Sequence, residues 1–197
     1  MLGRGEHGLP WERLPQARSA AAFADRKHAG QHRSDGTPFI EHPLEVATLL
    51  YDAGAPDHVI AAGVLHDTIE KAAVTAPELR ASFGLRITCL VLAVSDDERI
   101  DGYASRKAAL RRQVAGAGDE ALTVFAADKL SKLRELERDT DAEPGVRIRG
   151  ARARRLRHYQ RSLALLQERL PESPLVHELH DELGAFLHQH HSSSRAA

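Results

Sequence analysis

His66 and Asp67 are adjacent in AAGVLHDTIEK, and Glu70 follows one helical turn later. Residues three and four apart share a helix face, so a helix here presents an imidazole and two carboxylates together. Such a set can hold a divalent cation through two ligands and leave the second carboxylate to move protons. The apolar run AAGVL before the pair places these polar groups near a core, where unpaired charge is costly and a metal or ion partner is the economical explanation. A second His-Asp pair, His180-Asp181 in VHELHDELGAF, lacks that setting and reads as a solvated face.

Two further residues share the first pair's setting. His42 precedes Pro43, and Asp128 closes four apolar residues in VFAADKL. Each has an ordinary alternative, a cap or core histidine for His42 and an i,i+4 partner of Lys132 for Asp128. Jointly, His42, His66, Asp67 and Asp128 offer two nitrogen and two oxygen donors, a set suited to a first-row transition metal with open positions for water. Should the substrate be anionic, Lys27, Arg33, Lys71, Arg106, Lys107 and Lys129 are the candidate cations; each also fits a solvated surface charge.

The elements that must position these groups read as helices. The Ala-rich ARSAAAFADRKHAGQ, residues 17–31, is the first, and HRSDGTPF is a turn. A helix starting at Pro43 runs through Tyr51, with His42 at its cap. Asp57 caps the next, HVIAAGVLHDTIEKA, which carries the His-Asp pair. Thr75 and Glu78 have capping-box spacing, and that helix stops at Gly84. The apolar run 85–94 is a helix too, because a strand there would be alone, and its Cys89 reads as a small buried residue. Helices follow over 104–114 and from Asp119, then a basic helix over about 146–170 and a last one rich in Leu and His. No phosphate loop, repeat or βαβ pattern is present, so the fold class is all-α, a helical bundle. The expected layout is an irregular lead over 1–15, one domain over 16–190 and a disordered tail over 191–197.

Composition bounds the function. The 197 residues are 42% hydrophobic and 28% charged, as an ordinary globular protein is. Twenty-seven basic against 28 acidic residues give a net charge of −1, which argues against a nucleic-acid partner. No apolar run approaches the roughly 20 residues that span a bilayer, no membrane partner is expected, and the cytoplasm is the default location. The arginine run VRIRGARARRLRHYQR could be a funnel for an anionic nucleotide, but is read as an exposed basic helix balanced by the acidic stretch 135–143. The histidines at 177, 180, 188, 190 and 191 follow no closed ligand pattern.

Four strings in order, RKHAGQHRSDGTPFIEHPLEVA, AAGVLHDTIEK, TAPELRASFG and FAADKLSKLREL, resemble the HD-domain hydrolase of the RelA/SpoT homologues, in particular the small single-domain alarmone hydrolases. The resemblance spans about residues 16–170. It implies one manganese ion on His42, His66, Asp67 and Asp128, with Glu70 as the catalytic carboxylate that takes a proton from the attacking water. It also implies Arg33 against a guanine base, Tyr159 near the nucleotide, and a guanosine alarmone cleaved at its 3′-pyrophosphate. With fewer than 30 residues beyond Leu170, no synthetase domain is expected. Three positions depart from the family pattern. Lys71 follows the catalytic glutamate where an aspartate is usual and could hold phosphate as a point charge. Lys132 stands where an asparagine is common and Glu135 where a threonine or aspartate is; both border the nucleotide site, and Lys132 joins Lys27, Arg33, Lys107, Lys129 and Tyr159 as an expected substrate contact. An HD-type phosphatase for another phosphorylated nucleotide, such as NADPH, and a nucleotide-binding regulator with impaired hydrolysis are the alternatives.

Overall fold

The computed structural model describes residues 9–33, 35–142 and 148–192, with no side-chain description at 191 and 192. Among the described residues the chain is helical, with one isolated β-bridge between His32 and Pro38. It divides into two compact units, Met1–Ser95 and Asp96–Ala197. The tail from 193 on and Val146 and Arg147 of the basic run lie outside the described residues.

In the first unit a 3-10 turn, Pro10–Arg13, leads into α1 (Pro15–Lys27), followed by α2 (Glu41–Asp52), α3 (Asp57–Leu65), α4 (Thr68–Ala72) and α5 (Ala76–Val94). The lead is more than irregular chain: Trp11 is fully buried and its Nε1–H donates to Thr48 Oγ1 at 3.1 Å. Helix α2 begins two residues before Pro43, because the turns Glu41 N–H to Pro38 and His42 N–H to Phe39 roll directly into it. His42 therefore lies in the first turn rather than at the cap, and Pro43 is tolerated because first-turn N–H groups have no intrahelical acceptor.

Asp57 opens α3 but caps a different helix. Its carboxylate accepts from the backbone N–H of Gln16 at 3.0 Å and of Ala17 at 2.8 Å, satisfying two orphan donors at the start of α1. The single helix expected over 58–72 is broken at His66-Asp67. Two side chains account for the break: His66 Nδ1–H donates to the Gly63 carbonyl and Thr68 Oγ1–H to the Leu65 carbonyl, each at 2.6 Å, taking acceptors that the helical ladder would use. His66, Asp67 and Glu70 thus sit around a helix junction, not along one continuous face.

Helix α5 spans both segments read from sequence. Thr75 Oγ1 accepts from the Glu78 N–H at 3.4 Å, and Gly84, at φ 79° and ψ 175°, kinks the helix where a stop was expected. Cys89 lies on the exposed side of the second segment, between Leu85 and Leu92, and is not a core residue.

The second unit contains α6 (Tyr103–Gly116), α7 (Asp119–Asp141), α8 (Gly150–Arg169) and α9 (Pro174–Ser192). Helix α7 is its centre, with Leu122, Phe125, Leu130, Leu133 and Leu136 fully buried. The last helix packs on α7 and α8, burying Leu175, Val176, Leu179, Leu183 and Phe186. Each such side chain contributes about 1.5–3 kcal/mol before chain entropy is counted. Arg134 fixes the register, reaching Glu178 at 2.5 Å and Glu182 at 2.7 Å.

Candidate functional site

Three of the expected ligands meet in the first unit. His42, His66 and Asp67 are each at most 3% exposed. The two Nε2 atoms are 3.2 Å apart, and the Asp67 carboxylate lies 3.6 Å from His42 Nε2 and 3.4 Å from His66 Nε2. Because Gly63 holds a proton on His66 Nδ1, neutral His66 turns a bare Nε2 lone pair toward His42 and Asp67. Donor atoms bonded tetrahedrally at about 2.1 Å stand about 3.4 Å from one another, so these separations fit a divalent cation.

Glu70 lies half-buried on α4 and Lys71 is exposed at its end. Arg33 belongs to the turn between α1 and α2. Its N–H donates to Thr37 at 2.8 Å and its carbonyl accepts from Gly36 at 3.1 Å, while Asp35 caps the turn through Thr37. Lys27 is engaged with Glu78 at 2.8 Å.

The second unit places the remaining residues on or beside α7. Asp128 is 5% exposed, ion-paired with the buried Lys129 and with Lys132 at 2.8 Å. The i,i+4 partner read from sequence is therefore present, but on a buried carboxylate rather than a surface one. Lys129 lies over the Phe125 ring, 4.4 Å from its centroid, and burial pulls its ammonium down to about 8. Lys107 pairs with Asp96 at 2.5 Å, and Arg106 reaches the same carboxylate at 3.7 Å. Tyr159, at 3% exposure, is a core residue of this unit, its hydroxyl donating to the Lys132 carbonyl at 3.5 Å. Glu135 is half-buried on α7.

Sequence reasoning missed two polar networks. In the second unit, His158 is buried, its Nδ1 is 2.8 Å from Arg111 Nη1, and burial with Lys129, Lys107 and Arg111 nearby drives its pKa down to about 2. In the first, His28 and Gln31 reach the backbone of Lys71. His158 lies in the run read as an exposed basic helix, so nothing there marked it as buried, and nothing in the spacing marked Gln31.

The HD domain family model matches residues 20–151, and the chain belongs to that family. HD hydrolases bind a divalent metal, consistent with the donor set above. The human guanosine-3′,5′-bis(diphosphate) 3′-pyrophosphohydrolase MESH1 is 41% identical over 129 residues, 64% of this chain and 72% of that protein. A GTP pyrophosphokinase of Streptomyces coelicolor is 34% identical over 126 residues, 62% of this chain but only 15% of its own length. Among solved structures, one described as a metazoan ortholog of SpoT that hydrolyses ppGpp matches with a TM-score of 0.72 over 87% of this chain and 95% of that one, at 22% identity. No described helix is long and apolar enough to cross a membrane.

Proposed function

We propose that this chain is a metal-dependent guanosine 3′,5′-bis(diphosphate) 3′-pyrophosphohydrolase, converting the tetra- and pentaphosphate alarmones to GDP or GTP and pyrophosphate. The observation that carries the reading is the buried His42–His66–Asp67 donor set, with His66 locked in its metal-ready tautomer by Gly63. The 41% identity to human MESH1 supports the substrate class.

By the family resemblance, His42, His66, Asp67 and Asp128 would hold the cation, and the metal would be manganese. A bound divalent ion lowers the pKa of water from 15.7 toward about 7 and polarises a phosphoryl oxygen. Glu70 receives the proton of the attacking water. In-line attack at the 3′-phosphorus breaks its bond to the ribose 3′-oxygen; pyrophosphate leaves with the water's oxygen, and the ribose oxygen takes up a proton. Arg33 stacks on the guanine, and Lys71, Lys107 and Lys132 meet the phosphates.

The test is turnover of guanosine tetraphosphate by chelator-stripped protein with manganese restored, following pyrophosphate and GDP together. Equimolar release that stops when the metal is withheld is the expected result. Tight binding without products would instead indicate a regulator, and neither binding nor products would refute the alarmone as substrate and direct the screen to NADPH and other phosphorylated nucleotides.

A further inference from the structure

Helix α4 carries Glu70 but has only five residues, Thr68–Ala72, and ends on Ala73 in the left-handed region at φ 52°. A helix that short does not hold itself, since nucleation costs more than one turn returns. What fixes its far end comes from outside it. The Lys71 carbonyl, an orphan acceptor at the end of α4, takes a hydrogen bond from Gln31 Nε2 at 2.7 Å. A carbonyl can only accept, so the amide orientation of Gln31 is decided and its Oε1 faces His28 Nδ1 at 2.9 Å. His28 must then donate from Nδ1. Its ring is 2% exposed, lies against Phe39 at 4.8 Å between centroids, and is kept neutral by burial, which lowers its pKa. Gln31 is itself anchored at both backbone groups, its N–H on the His28 carbonyl at 3.0 Å and its carbonyl on the Phe39 N–H at 2.9 Å.

We propose that Gln31 is a positioning residue: with His28 behind it, it ties the end of α4 to the end of α1 and so sets where the Glu70 carboxylate stands relative to His66 and Asp67. The proposal rests on the reading of Glu70 as the proton acceptor. The strut consists of one exposed and one part-buried hydrogen bond, so its loss has little effect on overall stability, whereas a misplacement of about 1 Å can cost up to about a hundredfold in rate.

The experiment combines amide hydrogen exchange with steady-state kinetics on the full chain carrying Gln31→Met, which removes both hydrogen bonds at similar volume. Exchange over residues 68–73 should accelerate by about fivefold or more while α3 is unchanged, as expected for a locally opened element. On guanosine tetraphosphate, kcat should fall about tenfold with KM within about twofold, and in a Glu70→Gln background the same substitution should cause no further loss, because both act through one group. Unchanged exchange in α4, or a kcat loss that adds fully to that of Glu70→Gln, overturns the proposal. Full turnover by Glu70→Gln alone overturns the reading of Glu70 instead, and the exchange measurement still decides the strut, with or without substrate. If Gln31→Met does not fold, Gln31→Glu, which sets a carboxylate against the Lys71 carbonyl, is expected to give the same exchange and kinetic changes.

Discussion

His66 Nδ1 lies 2.6 Å from the carbonyl oxygen of Gly63, three residues earlier in the chain. The bond selects the tautomer of a proposed metal ligand, and the residue that accepts it sits where α3 lies close against α2. A Cβ added at Gly63 would fall 2.3 Å from Leu50 Cδ1 and 3.2 Å from Val46 Cγ1, both on fully buried side chains. Gly63→Ala is therefore expected to destabilise by about 1–3 kcal/mol, as overpacking of a full core does. Urea unfolding measures it. A Leu50→Ala partner should recover part of the loss, so the double variant should be more stable than the sum of the single effects predicts.

Metal affinity follows from the donor set. Removing one ligand should weaken manganese binding by more than the roughly 10–100-fold that outer-shell changes cost. Asp67→Ala should abolish turnover together with binding, measured by calorimetry on chelator-stripped protein, while the thermal midpoint without metal stays close to that of the parent. A variant that binds manganese as the parent does would remove Asp67 from the site.

His158 sets an acid limit on stability. Its folded pKa is lowered from 6.5 to about 2, chiefly by burial, so between those values the unfolded chain holds the proton and the folded chain does not. Stability is then full above about 6.5 and declines as pH falls, by up to about 1.4 kcal/mol per pH unit from this group. Urea midpoints at pH 7, 6 and 5 should show that slope in the parent and a shallower one in His158→Gln. Equal slopes in both proteins would contradict it.

Ala73 occupies the left-handed region at φ 52° with no glycine to relieve it. An L-residue there costs roughly 1–2 kcal/mol, and glycine's extra unfolded-state freedom returns part of any gain. Ala73→Gly should therefore raise stability by up to about 1 kcal/mol in thermal or urea unfolding. A clear loss would mean that the methyl group is held by packing.

Where a residue acts on its own neighbours, sequence was informative. Thr75 caps through Glu78, Gly84 takes a positive φ, and the apolar run before His66 buries it. The errors arose where a side chain works at a distance. Nothing at Asp57 says that its carboxylate serves α1, forty residues away. The break at His66-Asp67 contains no proline or glycine, and comes from competing hydrogen bonds whose acceptors appear only in three dimensions. Cys89 was misplaced because an apolar run of helical length does not reveal which of its faces meets solvent. The buried histidines and aspartates were legible because an imidazole or carboxylate in an apolar context needs an explanation; Gln31 was not, because an amide in a polar stretch needs none.

By serving α1 from the first position of α3, Asp57 gives the two helices a common origin. They pack along each other from that point, and α1 leads to His28 and Gln31 as α3 leads to His66 and Asp67. The arrangement acts as a ruler with one zero mark. Inserting a residue in either helix would rotate and advance its far end against the other, carrying the Gln31 side out of step with the His66 side while leaving every local helical bond intact.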